Sequence, residues 1–266
     1  MGEELKEGIV SLESFDPRTC LTSSECTSKG GSVLGNCAAG FGVCCVFSVS
    51  ASGTTVTENS TYIINPSYPS NYVPTSTPNT LTYTIAKCQD DICRVRLDFD
   101  TFEMTAPSSG GVADEGQCDT DRLAFTTTAQ TVVPTTGSAG TYGSYPYLCG
   151  TNTGLHAYLD LSPTSGDTAT LTFTIGDSTS NQFKIKVTQL SCSDYQVSQW
   201  QQCFQYFTGV TGTIRSYNYA QPQLLAAQQF NHCIRQEEDH CCIQYSPVSP
   251  STFRWGPKSI WEGEMS

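Results

Sequence analysis

From about residue 60 onward the chain alternates between apolar and polar positions. Threonines separate Leu81, Tyr83 and Ile85, and Arg96 and Asp98 separate Val95, Leu97 and Phe99. Threonines again separate Ala169, Leu171, Phe173 and Ile175, and Lys184 and Lys186 separate Phe183, Ile185 and Val187. A period of two puts every second side chain on the same side of an extended backbone. Each segment therefore predicts a strand with one buried and one wet face. Gly, Pro, Asn and Asp clusters punctuate the pattern at residues 107–111, 135–143 and 166–167. Short half-buried strands with turns between them predict an all-β chain, arranged as an antiparallel β-sandwich.

Composition points the same way. Charged residues are only 14% of the 266, and Thr, Ser, Gly, Asn, Gln and Tyr take their place, a mixture that suits strands and tight turns over long helices. The net charge is −12. So acidic a surface repels nucleic acid and anionic membranes, and neither is expected as a partner. No run approaches the ~20 apolar residues that span a bilayer. Fourteen cysteines without paired Cys-x-x-Cys or Cys/His knuckles imply disulfides and a secreted, extracellular setting over zinc. The first residues are too acidic and polar for a signal peptide, so the cysteines imply a leader that this sequence does not show.

The chain divides into three regions. Residues 1–46 contain Cys20, Cys26, Cys37, Cys44 and Cys45 among many glycines and few large apolar residues, which predicts a small knot held by disulfides. Residues 48–57 read as a Ser/Thr linker, residues 57–190 as a sandwich, and residues 191–266 as a partial repeat of it. In that repeat Cys93 aligns with Cys241 at an offset of 148 residues.

Four stretches occur in an order that chance rarely gives: Tyr62-Ile63-Ile64-Asn65-Pro66-Ser67-Tyr68-Pro69, Ile92-Cys93-Arg94-Val95-Arg96-Leu97-Asp98-Phe99, Cys118-Asp119-Thr120-Asp121, and Cys149-Gly150-Thr151-Asn152-Thr153-Gly154-Leu155-His156. This order resembles the CUB family, most closely the secreted CUB-containing proteins of arthropods. The glycine-rich stretch from Cys37 to Cys45 resembles the knot preceding the CUB modules of those proteins. A weaker match runs from Cys203 to Tyr245. The resemblance implies a jelly-roll-like sandwich of two antiparallel sheets, recognition of proteins, glycans or itself through loops, and no intrinsic catalysis. It also implies a Cys118–Cys149 disulfide and a structural role for His156. No cofactor is required, but some CUB modules carry Ca²⁺ on a loop-end carboxylate cluster. Asp121 matches that position, and Asp177 is a possible second ligand. The Glu expected eight residues before Asp121 is Ala113, with Asp114 and Glu115 as substitutes. The alternative is that Asp121 only caps a loop.

Proximity along the chain suggests further pairs: Cys88 with Cys93, Cys192 with Cys203, and Cys233 with Cys241 or Cys242. That leaves an odd knot cysteine and one thiol of the Cys241–Cys242 pair, so a long-range or intersubunit bridge such as Cys45 to Cys242 is expected, or else a free thiol. Asn59-Ser60-Thr61 is an N-glycosylation sequon. No serine elbow, metalloprotease helix, phosphate loop or dinucleotide turn accompanies His156, His232 and His240, so no enzyme is expected.

At the offset of 148 residues the counterpart of Cys118 is Ser266, so the second unit ends before half its strands. Either the chain is cut short, or the half-unit packs on the first sandwich, or a second copy completes it. The last case makes the protein a self-assembling, head-to-tail structural subunit of filament type. Residues 9–12 or the aromatic tail with Phe253, Trp255 and Trp261 would supply the contact. The alternative is a soluble glycan- or protein-recognition module, with or without calcium.

Overall fold

The computed structural model describes residues 19–109, 115–128, 145–162, 166–176, 181–193, 203–221 and 223–248. Residues 9–12, Phe253, Trp255, Trp261, Asp114, Asp177 and the turn at 135–143 lie outside them. Two sheets face each other. The larger runs in the order β1 (Thr19–Leu21), β3 (Gly42–Val49), β5 (Thr61–Ile64), β11 (Gln182–Ser191), β7 (Ile92–Glu103), β9 (His156–Asp160), with β2 (Ser32–Cys37) also paired to β3. The smaller runs β4 (Thr54–Val56), β6 (Asn79–Ala86), β10 (Thr168–Ile175), β8 (Asp121–Thr127). A short helix, α1 (Ser23–Ser28), sits in the knot, and β12 (Cys203–Phe207) pairs with β13 (Asn231–Ile234) beyond the sandwich.

The four alternating segments form β6, β7, β10 and β11. Their apolar sets, including Tyr83, Leu97, Phe173 and Ile185, are almost wholly buried. The two sheets meet through aromatic rings: Phe173 of β10 stacks on Phe183 of β11 with centroids 4.0 Å apart, and Tyr83 packs edge-on against both. On the outer face of the smaller sheet, β6 and β10 place Thr84, Thr82 and Thr80 opposite Thr170, Thr172 and Thr174. The β-branched threonines suit the pleat without needing a buried partner.

Strand β11 is fixed by two asparagines that act as substitute backbone. Asn65 donates its N–H to the Phe183 carbonyl (3.1 Å) and accepts the Phe183 N–H on Oδ1 (3.0 Å). Asn59 repeats the pattern at Gln189, accepting its N–H (2.7 Å) and donating Nδ2 to its carbonyl (2.9 Å). Asn65 thus locks the end of β5 onto β11. Both asparagines are used as sheet partners, since a buried backbone group left unpaired costs about 1–3 kcal/mol.

The expected linker at residues 48–57 is not one. Phe47, Ser48 and Val49 pair in parallel with Thr61, Tyr62 and Ile63, and Thr54, Thr55 and Val56 pair in parallel with Tyr83, Thr84 and Ile85. The chain crosses from one sheet to the other here, and Val56 enters the core. The knot accordingly continues the larger sheet. It carries a core of Cys26, Cys45 and Phe47 and the disulfides Cys20–Cys37 and Cys26–Cys45. A Thr22/Glu25 capping box starts α1.

Three disulfides differ from the sequence expectation because neighbours in sequence are not neighbours in a sandwich. Cys93 lies beside the end of β11, where Ser191 pairs with Ile92, so it bonds Cys192 (Cα–Cα 4.9 Å) and leaves Cys88 free. Cys203 therefore takes Cys233 across the β12–β13 pair, and Cys241 and Cys242 remain exposed thiols with Sγ atoms 3.4 Å apart. Cys45 is fully buried and bonded to Cys26, so it cannot bridge to Cys242. Cys118 is bonded to Cys149. The unpaired knot cysteine is Cys44.

Cys93–Cys192 closes a loop of 99 residues. In the chain-entropy picture a closure of that length stabilises by about 4–5 kcal/mol. The double variant C93S/C192S is expected to lose stability on that scale in urea unfolding. C88S, which breaks no bond, is expected to cost under ~1 kcal/mol.

Candidate interaction site

Among the described residues, the C-terminal segment forms no second sandwich. Residues 203–234 fold as an arm laid against the first one. The expected hairpin at residues 233–241 is replaced by a parallel pairing of β12 with β13, and residues 212–216 form no strand. Phe204, Tyr217 and Leu225 are buried in the sandwich core, and Phe204 packs against Phe125, Tyr145, Tyr217 and Phe230. Burying three such side chains is worth several kcal/mol, at ~1.5–3 kcal/mol each.

Polar contacts set the register of the arm. Asn152, fully buried, donates Nδ2 to the Cys149 carbonyl (3.0 Å) and accepts the Asn218 N–H (2.8 Å). Asn218 in turn accepts the Thr151 N–H on Oδ1 (3.0 Å) and donates Nδ2 to the Gln223 carbonyl (2.9 Å). The Cys-Gly-Thr-Asn run thereby serves as a docking cradle. Gly150 sits at φ +71°, where a Cβ would overlap Asn218 Oδ1. Gly116 accepts the Ala226 N–H (2.8 Å), and a Cβ there would strike the Leu224 carbonyl.

A second seam lies along β7 and β9. The Arg94 guanidinium pairs with Asp160 (2.7 Å), donates to the Cys203 carbonyl (2.7 Å) and lies over the Tyr158 ring (4.8 Å to its centroid). Arg96 pairs with Asp98 (2.7 Å) and donates to the Tyr158 hydroxyl (3.0 Å). His156 accepts the Tyr206 N–H on Nε2 (3.1 Å), while its carbonyl accepts the Tyr217 hydroxyl (2.7 Å). Burial, reinforced by the nearby Arg96, pushes its pKa down to about 4, so the ring is neutral and able to accept. Nothing in the sequence around His156 signalled this contact, because its partners lie some 50 residues away.

A cavity of about 260 Å³ opens on the arm, walled by Tyr217, Leu224, Leu225 and Phe230, with Gln228 and His232 at its polar side. Leu224 is 67% exposed.

The calcium set is only partly placed. Asp121 is buried. It accepts the Thr105 hydroxyl (2.6 Å) and the Gly176 N–H (2.8 Å), which closes the loop beside the Cys118–Cys149 bridge. Glu115 is exposed, and no group of three His, Cys, Asp or Glu side chains converges among the described residues. These bonds make Asp121 a clasp between loops, while Asp114 and Asp177, the other carboxylates expected with it and Glu115, lie outside the described residues. The sequon is occupied by structure: Asn59 is engaged at Gln189, and the Thr61 hydroxyl is buried and donates to the Glu58 carbonyl (2.7 Å).

Residues 201–263 match the family model for the animal CUB domain. The match covers the arm and the residues after it, the segment that in sequence resembles a partial second unit. No curated protein matches the chain in sequence. Solved structures similar to it include the full extracellular region of zebrafish Gpr126/Adgrg6, at 20% identity and TM-score 0.36 over 54% of this chain and 15% of that one. The MASP-1 CUB2 domain bound to Ca²⁺ is similar at 17% identity and TM-score 0.33, over 52% of this chain and 99% of that one. The CUB1-EGF-CUB2 domains of rat MASP-1 are similar at 17% identity and TM-score 0.36, over 60% and 49%. The chain thus spans a small part of the first of these proteins and about half of the third. No helix among the described residues is long and apolar enough to cross a membrane.

Two outcomes test the docking of the arm. His156 titrates near 4 in the fold against 6.5 in the unfolded chain, so its contribution is complete above pH ~6.5 and is lost as pH falls toward 4. The loss amounts to about 3 kcal/mol at ~1.4 kcal/mol per pH unit, and unfolding curves of H156Q should lack this component over that window. Separately, G150A is expected to cost about 2–4 kcal/mol through clash and left-handed strain, and to raise the rate of proteolysis within the arm.

Proposed function

We propose that this chain is a secreted, non-enzymatic binding protein that acts in extracellular protein–protein association, with a second copy of itself as a partner. The observation that supports this most is the placement of exposed apolar side chains. Val33, Leu34 and Phe41 are exposed on the knot, and Val210, Leu224, Ile243 and Tyr245 are exposed on and after the arm. Large exposed apolar side chains on two separate segments are candidate contact surfaces. Disulfides, absent active-site motifs and the animal CUB match at residues 201–263 accord with an extracellular interaction module. A contact between the knot of one copy and the arm of the next would be head-to-tail, and such contacts extend without closing unless the rotation between copies happens to close a ring.

The native mass by light scattering tests this. Masses rising with concentration above 28.8 kDa are expected. Association should strengthen as salt is raised, because it screens the repulsion between copies of net charge −12. A salt-independent monomer across the whole range would replace self-association with recognition of a different partner.

A further inference from the structure

Asn59-Ser60-Thr61 is the one usable Asn-x-Ser/Thr sequon of the chain, since Pro66 separates Asn65 from Ser67 in the other candidate. Its amide and its threonine hydroxyl are both engaged inside the fold. The Asn59 amide faces the backbone of Gln189 with both its polar atoms: Oδ1 accepts the Gln189 N–H (2.7 Å) and Nδ2 donates to the Gln189 carbonyl (2.9 Å). Oδ1 also accepts the Ser60 N–H (2.7 Å), and Ser60 turns the chain at φ 61°. Thr61 is 2% exposed, and its hydroxyl donates to the Glu58 carbonyl (2.7 Å).

The paired hydrogen bonds to Gln189 select one hydrogen of the amide. Because Oδ1 and Nδ2 engage the N–H and C=O of the same residue, the bridging hydrogen is the one on the oxygen's side of Nδ2. A primary amide has that hydrogen. N-glycosylation joins Nδ2 to the anomeric carbon of a lipid-linked oligosaccharide; the lipid pyrophosphate leaves and the amide gives up one proton. The product is a secondary amide. Its favoured trans form puts the remaining hydrogen opposite the oxygen and the sugar on the oxygen's side. That is where the Gln189 carbonyl lies. A carbon bonded to Nδ2 at ~1.45 Å in this direction stands about 1.5 Å from the Gln189 oxygen, far inside contact distance.

Gln189 is held from its other sides. It is 3% exposed and pairs with Val95 of β7, while its side chain accepts the Cys88 N–H (2.9 Å) and donates to the Ala86 carbonyl (3.1 Å). We propose that glycosylation of Asn59 and closure of this clamp exclude each other. The folded chain carries a free amide at Asn59, and a chain that receives an oligosaccharide there before folding keeps the start of β5 detached from β11. The consequence reaches the knot, because β5 is only four residues long and lies between β11 and β3, the strand that carries Cys45. Asn59 is thus a modification site open to the unfolded chain alone. The inference rests on the secreted reading and is independent of self-association.

The full chain, made behind a supplied signal peptide in secreting eukaryotic cells, tests it. One culture folds undisturbed. A second receives a pulse of dithiothreitol during synthesis, which holds disulfides open, and is then washed. A mannose-binding lectin separates chains with and without a glycan, peptide mass spectrometry assigns it to Asn59, and hydrogen exchange reads the Gln189 amide. T61V, which removes the sequon and keeps the amide, and the lectin-unbound wild type of the same culture are the references. Undisturbed secreted chains are expected to carry unmodified Asn59, and the pulse is expected to raise its occupancy severalfold. In the glycosylated chains the Gln189 amide should exchange at least about tenfold faster than in the references, the scale of one lost buried hydrogen bond. A glycan on Asn59 in chains whose Gln189 amide is as protected as in the references overturns the proposal. So does a pulse that leaves Asn59 unmodified, because folding is then not what shields the sequon. Failure of the secreted reading shows separately, as a Cys93–Cys192 bridge that stays reduced in the undisturbed culture.

Discussion

Strand β11 is the member on which the rest of the molecule leans. It lies between β5 and β7, sends Phe183 across the interior to stack on Phe173 of the opposite sheet, and is gripped at two points by Asn65 and Asn59. The Cys93–Cys192 disulfide holds its end against β7. With this strand fixed, β7 and β9 present a firm edge on which the C-terminal arm can settle. A looser β11 would leave that edge without a backing layer, because close-packed interiors transmit displacement with little absorption.

Asparagine recurs wherever irregular chain must be joined to regular chain. Asn59 and Asn65 extend the pairing of β5 with β11 beyond the two ends of β5, and Asn152 and Asn218 interlock to seat the arm on the Cys149-Gly150 turn. A side-chain amide offers a donor and an acceptor spaced much as a peptide group offers them, so it can complete a ladder where the chain itself turns away. Two residues that look functional in the sequence, the sequon Asn59 and the loop carboxylate Asp121, are engaged in this kind of construction. The exposed apolar side chains of the knot and the cavity beside Leu224 are produced by tertiary clamps, disulfides in one case and the docked arm in the other.

The all-β character was legible because it depends on local alternation. Leu81-Thr82-Tyr83-Thr84-Ile85 has one buried face in any sandwich that forms, whatever its neighbours turn out to be. The same holds for Val95 to Phe99, for Ala169 to Ile175 and for Phe183 to Val187. The cysteine count dictated a disulfide-bonded chain on compositional grounds alone. The knot was visible as a cluster of cysteines and glycines with too little apolar bulk to stand without bridges.

Pairing and docking were not legible, since both depend on which distant segments come to lie side by side. Cys93 looks for Cys88 in sequence and finds Cys192 in space, because β11 returns antiparallel along β7. Residues 48–57 look like a polar linker, yet they supply the end of β3 to the larger sheet and the edge strand β4 to the smaller. Residues 191–266 suggested half of another sandwich, yet Phe204, Tyr217 and Leu225 of that segment are buried in the existing core. Sequence alone determined the local periods, the oxidised state and the class of fold, all of which are set by chemistry within a few residues. Tertiary structure alone decided the disulfide partners, the fate of the C-terminal segment and the two apolar surfaces, because those depend on contacts between residues far apart in the chain.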